Sequence, residues 1–236
     1  FSTWDYTTMY LIEGEDKAVL IDTGTRCADL DKIVGQITGK PLEVIVTHMH
    51  PDHAGCIKYF DKVWMHRADT VLVPQHAADY QGEFLYMEEG QVFDLGGRKL
   101  EVAWMPGHTP GSVVLLDKAN GDCYSGDAFG SGEVWLQCVP MSPIATFHES
   151  CCRMEKLMKE GHIKDIWCGH YPYLKSSLPL AYIQTMIRIS HRLMNGDQEG
   201  SEPYSNYFIK MPPTARKLAE GRAMIVYDST NIPEAR

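Results

Sequence analysis

Three histidines and an aspartate fall within six residues of this chain: His48, His50, Asp52 and His53, in the stretch THMHPDHAG. Extended backbone turns residues i and i+2 to the same side, so His48 and His50 can aim at one point. Pro51 marks a turn, and Asp52 and His53 beyond it can aim at a second point nearby. Imidazole nitrogen and carboxylate oxygen are the usual ligands of a catalytic zinc ion. Crowded together with nothing between them, these groups would repel one another and lose hydration. The cluster therefore points to metal chemistry.

Further candidate ligands lie downstream. His108 sits in MPGHTPGS, among prolines and glycines, after the apolar segment LEVAWM. Asp127 sits in YSGDAFGS and His170 in DIWCGHYP. Each leaves a strand-like segment and is followed by small or turn-forming residues. Loops at strand ends are where a rigid scaffold carries functional groups.

The ordered set LIDTG (20–24), THMHPDH (47–53), PGHTPGS (106–112), GD (126–127) and GH (169–170) resembles the metallo-β-lactamase superfamily of metallohydrolases, from about Tyr10 to Tyr171. The resemblance implies a first metal on His48, His50 and His108, and a second on Asp52, His53 and His170. It makes Asp127 the carboxylate bridging both, and Asp22 an acid that shapes the floor of the site. The catalytic acids are then Asp52 and Asp127. The implied cofactor is a pair of zinc ions, with iron or manganese as substitutes. The antibiotic-cleaving lactamases generally carry cysteine at the position of Asp127. The flavodiiron oxygen reductases share the DAFG segment (127–130) but have glutamate in place of His50, so the ligand set favours zinc. The implied fold is an α/β class αβ/βα four-layer sandwich, two mixed sheets back to back with helices outside.

Two metals sharing a hydroxide lower the pKa of water toward about 7 and clamp attacking and leaving oxygens. No G-x-S-x-G nucleophile motif is present. The expected reaction is hydrolysis of a small ester, thioester or lactone. The alternatives are a phosphodiesterase, or an iron-dependent oxidoreductase resembling the persulfide dioxygenases of this fold. Lys175, Arg188 and Arg192 lie where glyoxalase-type thioesterases bind glutathione, yet they read first as a solvated helix face. Phe129 stands near the bridging acid where acyl-homoserine lactonases often use tyrosine. Tyr171 and Tyr173 follow His170 and are rim or packing residues. His66, His76, His148, His162 and His191 fall outside the motifs and read as ordinary surface or structural histidines.

Composition bounds the rest. The 236 residues suit one domain (1–236), with a helical C-terminal region around 175–210. Apolar content of 44% and charged content of 22% are those of an ordinary globular protein. A formal charge of −9 argues against a nucleic-acid partner and leaves a small-molecule substrate. No apolar run reaches the length of a membrane span. Seven cysteines, an odd and scattered set without C-x-x-C, read as reduced thiols of a cytoplasmic protein. Cys56 and Cys168 read as small buried residues. The chain starts on Phe1 with little room for a strand before the first motif, which reads as an upstream segment removed. The pattern specifies no oligomeric state.

The elements that must position the ligands follow from periodicity. Residues 8–13 and 18–22 flank a hairpin turn. Leu30, Ile33, Val34 and Ile37 share a helix face within 29–38. Strands are expected at 42–47, 63–65, 91–95, 100–105, 113–116, 122–125, 163–168 and 223–227, with a short helix at 54–60. A helix is expected over 146–160, stopped by Gly161. Another runs from Pro179 to Met194, followed by a polar loop at 195–203.

Overall fold

In a computed structural model the described residues are 6–130, 132–206 and 210–233. The strand and upstream segment considered before the first motif concern residues outside them. The chain runs β1 (Tyr10–Glu13), β2 (Ala18–Ile21), α1 (Leu30–Gly35), β3 (Leu42–Ile45), α2 (Pro51–Ala54), β4 (Lys62–His66), α3 (Val73–His76) and β5 (Glu83–Met87). It continues through β6 (Val92–Asp94), β7 (Lys99–Trp104), β8 (Val113–Asp117), β9 (Asp122–Gly126), β10 (Val134–Trp135) and α4 (Ile144–Lys159). It ends with β11 (Asp165–Cys168), α5 (Tyr171–Leu174), α6 (Leu180–Met194), β12 (Glu202–Pro203), β13 (Ala215–Glu220) and β14 (Ala223–Asp228).

Two five-stranded mixed sheets, β1-β2-β3-β4-β5 and β11-β9-β8-β7-β6, form the sandwich. Strand alternation decides which side chains meet. Val19 and Ile21 of β2 face Val102, Val113 and Leu115 across the sandwich. Leu20, between them, turns to the other layer with Leu30 and Val34 of α1. On the second sheet Ala103, Val114 and Leu116 turn outward to pack with Phe147 and Met154 of α4 and with Ile183 and Met186 of α6. All five residues of β8 are buried, as expected for a strand covered on both faces. Each fully buried Leu, Ile or Phe contributes about 1.5–3 kcal/mol, and three apolar clusters supply this contribution. The αβ/βα arrangement expected from the motifs is present.

A third sheet, β10-β14-β13-β12, was not expected. The strand expected at 223–227 belongs to it rather than to the sandwich. Leu218, Ile225 and Tyr227 pack into the same core as α4 and α6, so this sheet covers apolar surface that α6 would otherwise expose. Among the described residues of the 175–210 region, helical structure is confined to α6, which begins after Pro179 and ends at Met194. No helix among the described residues is long and apolar enough to cross a membrane.

Gly126 shows how tightly the layers close beneath the ligand loops. Its φ is 49°, and a Cβ there would fall on Thr47 Oγ1. Gly126→Ala is expected to lower stability by about 1–3 kcal/mol, the usual cost of overpacking a closed core. Urea denaturation of the variant checks this, and an unchanged midpoint would contradict it.

Candidate metal centre

The candidate ligands gather at the C-terminal ends of strands. β3 ends at Ile45, the chain bends at Thr47 and His48, and His50 is extended (φ −71°, ψ 149°) before Pro51 opens the single turn of α2. His48 and His50 reach one ligand group from this bend, while Asp52 and His53 project from the turn into the other. His108 follows β7, Asp127 follows β9 and His170 follows β11. β9 and β11 are parallel, and Gly169 N–H donates to Gly126 O at 2.8 Å, which brings Asp127 and His170 together. Gly169 is also close-packed: a Cβ there would stand 2.5 Å from His53 Cε1 and 2.6 Å from Asp127 Oδ1.

Two groups result, His48–His50–His108 and Asp52–His53–Asp127–His170, each with ligand atoms within 4.8 Å of one another. Asp127 stands between them. Its Oδ1 lies 3.4 Å from His53 Nε2, and its Oδ2 lies 3.3 Å from His170 Nε2 and 3.8 Å from His108 Nε2. All seven sequence candidates are in these two groups.

The hydrogen bonds decide which nitrogens are free. The Trp135 carbonyl lies 2.7 Å from His108 Nδ1 and can only accept, so that nitrogen carries hydrogen. Thr47 Oγ1 donates to Asp22 at 3.0 Å and so accepts from His48 Nδ1 at 3.1 Å. His53 Nδ1 donates to Asp22 Oδ2 at 2.7 Å. In the neutral rings, the Nε2 atoms of His48, His53 and His108 are left as lone pairs. His108 Nε2 then faces His48 Nε2 at 3.2 Å and His50 Nδ1 at 2.9 Å. His53 Nε2 is buried and has no hydrogen-bond partner among the described residues. Converging lone pairs of this kind fit a cation, and the outward N–H bonds are the orientation that metal-bound histidines adopt.

Electrostatics separates the two groups. Burial and the neighbouring imidazoles hold His48 well below the usual range, and burial and His108 lower His50 to about 3. Burial also lowers His108. Burial opposes charge at His53 and His170 as well, but nearby carboxylates prevail. Asp127, Asp52 and Asp22 hold His53 well above its usual value, and Asp127 and Asp52 lift His170 to about 10. Burial disfavours the Asp52 and Asp127 carboxylates, yet His53 and His170 keep both well below the ordinary range.

Four residues outside the metal-ligand set complete the site. Asp69, buried in the turn after β4, accepts from Met49 N (2.9 Å), Gly111 N (2.6 Å) and Thr109 Oγ1 (3.0 Å), tying the His48–His50 loop to the His108 loop. Burial outweighs those three donors and raises its carboxyl to about 6. His76 of α3 places its ring 5.8 Å from that of His50. The thiol of Cys138 is pushed up to about 12 by burial and by the charges of Asp52 and Asp127. Tyr173 flanks His170 at 5.9 Å, whereas Tyr171 packs on Trp167 at 5.9 Å. Asp69 and Cys138 stand in no motif, and His76 differs from a surface histidine only in where α3 ends. Arg188 and Arg192 pair with Glu220, and Arg192 also pairs with Asp197, as a solvated helix face does.

Comparison with known proteins agrees with this geometry. A family model for the metallo-β-lactamase superfamily matches residues 2–137. The acyl-coenzyme A thioesterase MBLAC2 of Homo sapiens is 25% identical over 210 residues, covering 72% of this chain and 75% of that protein. The hydroxyacylglutathione hydrolase of Aeromonas salmonicida is 27% identical over 179 residues, covering 74% of this chain and 64% of that protein. Among solved structures, TTHA1623 in a di-iron-bound form is 27% identical with a TM-score of 0.60, covering 74% of this chain and 90% of its own.

The protonation pattern has a measurable consequence. Without metal, His53 and His170 carry protons at pH 7. A cation entering the acidic group must displace them, so about two protons should be released per ion bound there. Affinity should rise with pH from 7 toward 10, as His170 gives up its proton more readily. Calorimetry in two buffers of different ionisation enthalpy measures the release, and a count of zero would contradict the pattern.

Proposed function

We propose that this chain, which belongs to the metallo-β-lactamase superfamily, is a hydrolase with a two-zinc site that cleaves a small acyl ester, thioester or lactone, with thioesters foremost. One observation carries the reading: two groups of imidazole nitrogens and carboxylate oxygens, buried or half-buried, converge, and Asp127 reaches both. In this reading His48, His50 and His108 would hold one ion and Asp52, His53 and His170 the other, with Asp127 as the carboxylate shared between them. Bound there, the ions would supply a Lewis acid and a water whose pKa falls toward about 7.

The chain's own residues supply orientation. Asp22 keeps the His53 proton on Nδ1, which points Nε2 inward. The Trp135 carbonyl does the same for His108. Asp69 fixes the distance between the two histidine loops. The thioester preference is supported by the names of the two relatives at 25% and 27% identity, both enzymes of acyl thiol substrates. Iron in the same ligands is the second reading, favoured by the di-iron form of the relative at 27% identity.

Freshly purified protein is expected to carry close to two metal ions per chain, mainly zinc by elemental analysis. It should cleave at least one short thioester or lactone faster than bis(p-nitrophenyl) phosphate or a penicillin, at every pH from 6 to 9. A clear preference for the phosphodiester would reassign the substrate class. One iron per chain and thiol-dependent oxygen uptake would reassign the reaction.

Asp127→Ala should lower kcat by well over about a hundredfold with the fold retained, since outer partners of metal ligands alone carry about 10–100-fold. Near wild-type hydrolysis by a folded Asp127→Ala protein would remove Asp127 from the bridging role.

A further inference from the structure

A second cluster of metal-ligating side chains lies on α4 and α6, outside the central site. His148 and Cys152 are four residues apart on α4 and so share one helix face. Ser190 Oγ donates its single proton to the Met186 and Ile187 carbonyls, at 2.7 and 3.1 Å. It must therefore accept from His148 Nδ1, 2.9 Å away. That bond leaves the His148 lone pair on Nε2, which faces Cys152 Sγ at 3.5 Å. A nitrogen about 2.0–2.1 Å and a thiolate sulfur about 2.3 Å from one tetrahedral ion stand about 3.5 Å apart. The pair is thus spaced as a chelate, with the outward N–H held as in metal-bound histidines.

His191 of α6 is the third member. Its ring lies 6.0 Å from that of His148. The three histidines of the central group lie 4.6–4.9 Å apart, ring to ring. The ligand atoms of all three do not lie within 4.8 Å of one another in this conformation, so His191, an exposed side chain, must turn toward the pair, a movement within its rotamer freedom. His148 and His191 both line an open cleft of about 420 Å³ with Ile187, Arg188, Arg192 and Glu220. The two arginines there pair with Glu220, at 3.3 and 3.6 Å, and Arg192 pairs also with Asp197, at 2.7 Å.

We propose that His148, Cys152 and His191 form a separate site for one thiophilic divalent cation of the zinc type. Binding would release the Cys152 thiol proton to solvent and form Sγ–metal and Nε2–metal bonds. The surroundings favour this over a free reactive thiolate. Burial and His191 lower His148, which keeps its imidazole neutral. Burial, Glu155 and Glu149 raise the Cys152 thiol, and the same acidic charges attract a cation.

Cobalt tests the proposal. Zinc-loaded protein is treated briefly with a mild chelator until elemental analysis shows only the two central ions retained, then titrated with Co2+, and near-ultraviolet thiolate-to-cobalt absorption is recorded. The central ligand set contains no thiolate, so cobalt exchanging into it adds no such band. The expected result is a band saturating at one equivalent. It should be lost in Cys152→Ser, strongly weakened in His148→Ala and His191→Ala, and shifted to about tenfold higher cobalt in Ser190→Ala. Hydrolytic activity should be unchanged in the three surface variants. No band, a band that survives Cys152→Ser, or full retention in both histidine variants would overturn the proposal.

Discussion

The site depends on where a few protons are held. An imidazole can offer its lone pair inward only if the other nitrogen has something to donate to. Asp22 performs this for two histidines at once. Its Oδ2 accepts from His53 Nδ1 at 2.7 Å and from Thr47 Oγ1 at 3.0 Å, and Thr47 in turn accepts from His48. Its Oδ1 takes the Thr47 N–H at 2.7 Å, locking the backbone at the start of the histidine loop. To reach all of these, Asp22 adopts a left-handed backbone conformation, φ 62°. Such conformations cost about 1–3 kcal/mol and persist only where surrounding structure over-determines them. Here the surroundings are β2 and β3, whose ladder continues into the Asp22 N–H bond to Ile45 O at 2.7 Å.

The rest of the fold serves to bring separate strand ends to that point. β2 and β3 deliver Asp22 and the histidine loop from one sheet, and β7, β9 and β11 deliver His108, Asp127 and His170 from the other. The two sheets meet through apolar side chains such as Ile21, Ile45, Val102 and Val113. Polar ties then set the last ångströms. Asp69 spans the two histidine loops, and Gly126 and Gly169 allow a backbone approach that any side chain would block.

Most of this was legible in the sequence because it is local. The spacing of His48, His50, Asp52 and His53 reports directly on two ligand groups either side of the turn at Pro51, although the chain bends at Thr47 and His48 rather than running on extended, and apolar runs before His108, Asp127 and His170 mark the strands they leave. The αβ/βα layers came from the motifs, since periodicity alone indicates only mixed α and β. What escaped is non-local or weakly patterned. β5 (EFLYM) is a half-buried strand with little alternation. β13 (ARKLAE) looks like an exposed polar segment, and only pairing with β14 makes it a strand. β10 is two residues long, yet it supplies the carbonyl that orients His108. Asp69 and Cys138 reach the site through tertiary contacts that no spacing rule encodes. His76 reads as one more exposed histidine until α3 is placed beside His50.

The two ligand groups also differ in charge, and the difference explains the position of Asp127. In the acidic group, two carboxylates offset the protons on His53 and His170, so exchanging those protons for a divalent ion leaves the local charge nearly unchanged. The three-histidine group is different. Burial keeps its rings neutral, and a divalent ion placed there imports its full charge into a dry region. Uncompensated charge in such a region is costly. The compensation has to come from an anion that reaches both groups. Asp127, with Oδ1 toward His53 and Oδ2 toward His108 and His170, is the carboxylate placed to do so. A site lacking Asp127 would therefore lose charge balance before it lost shape.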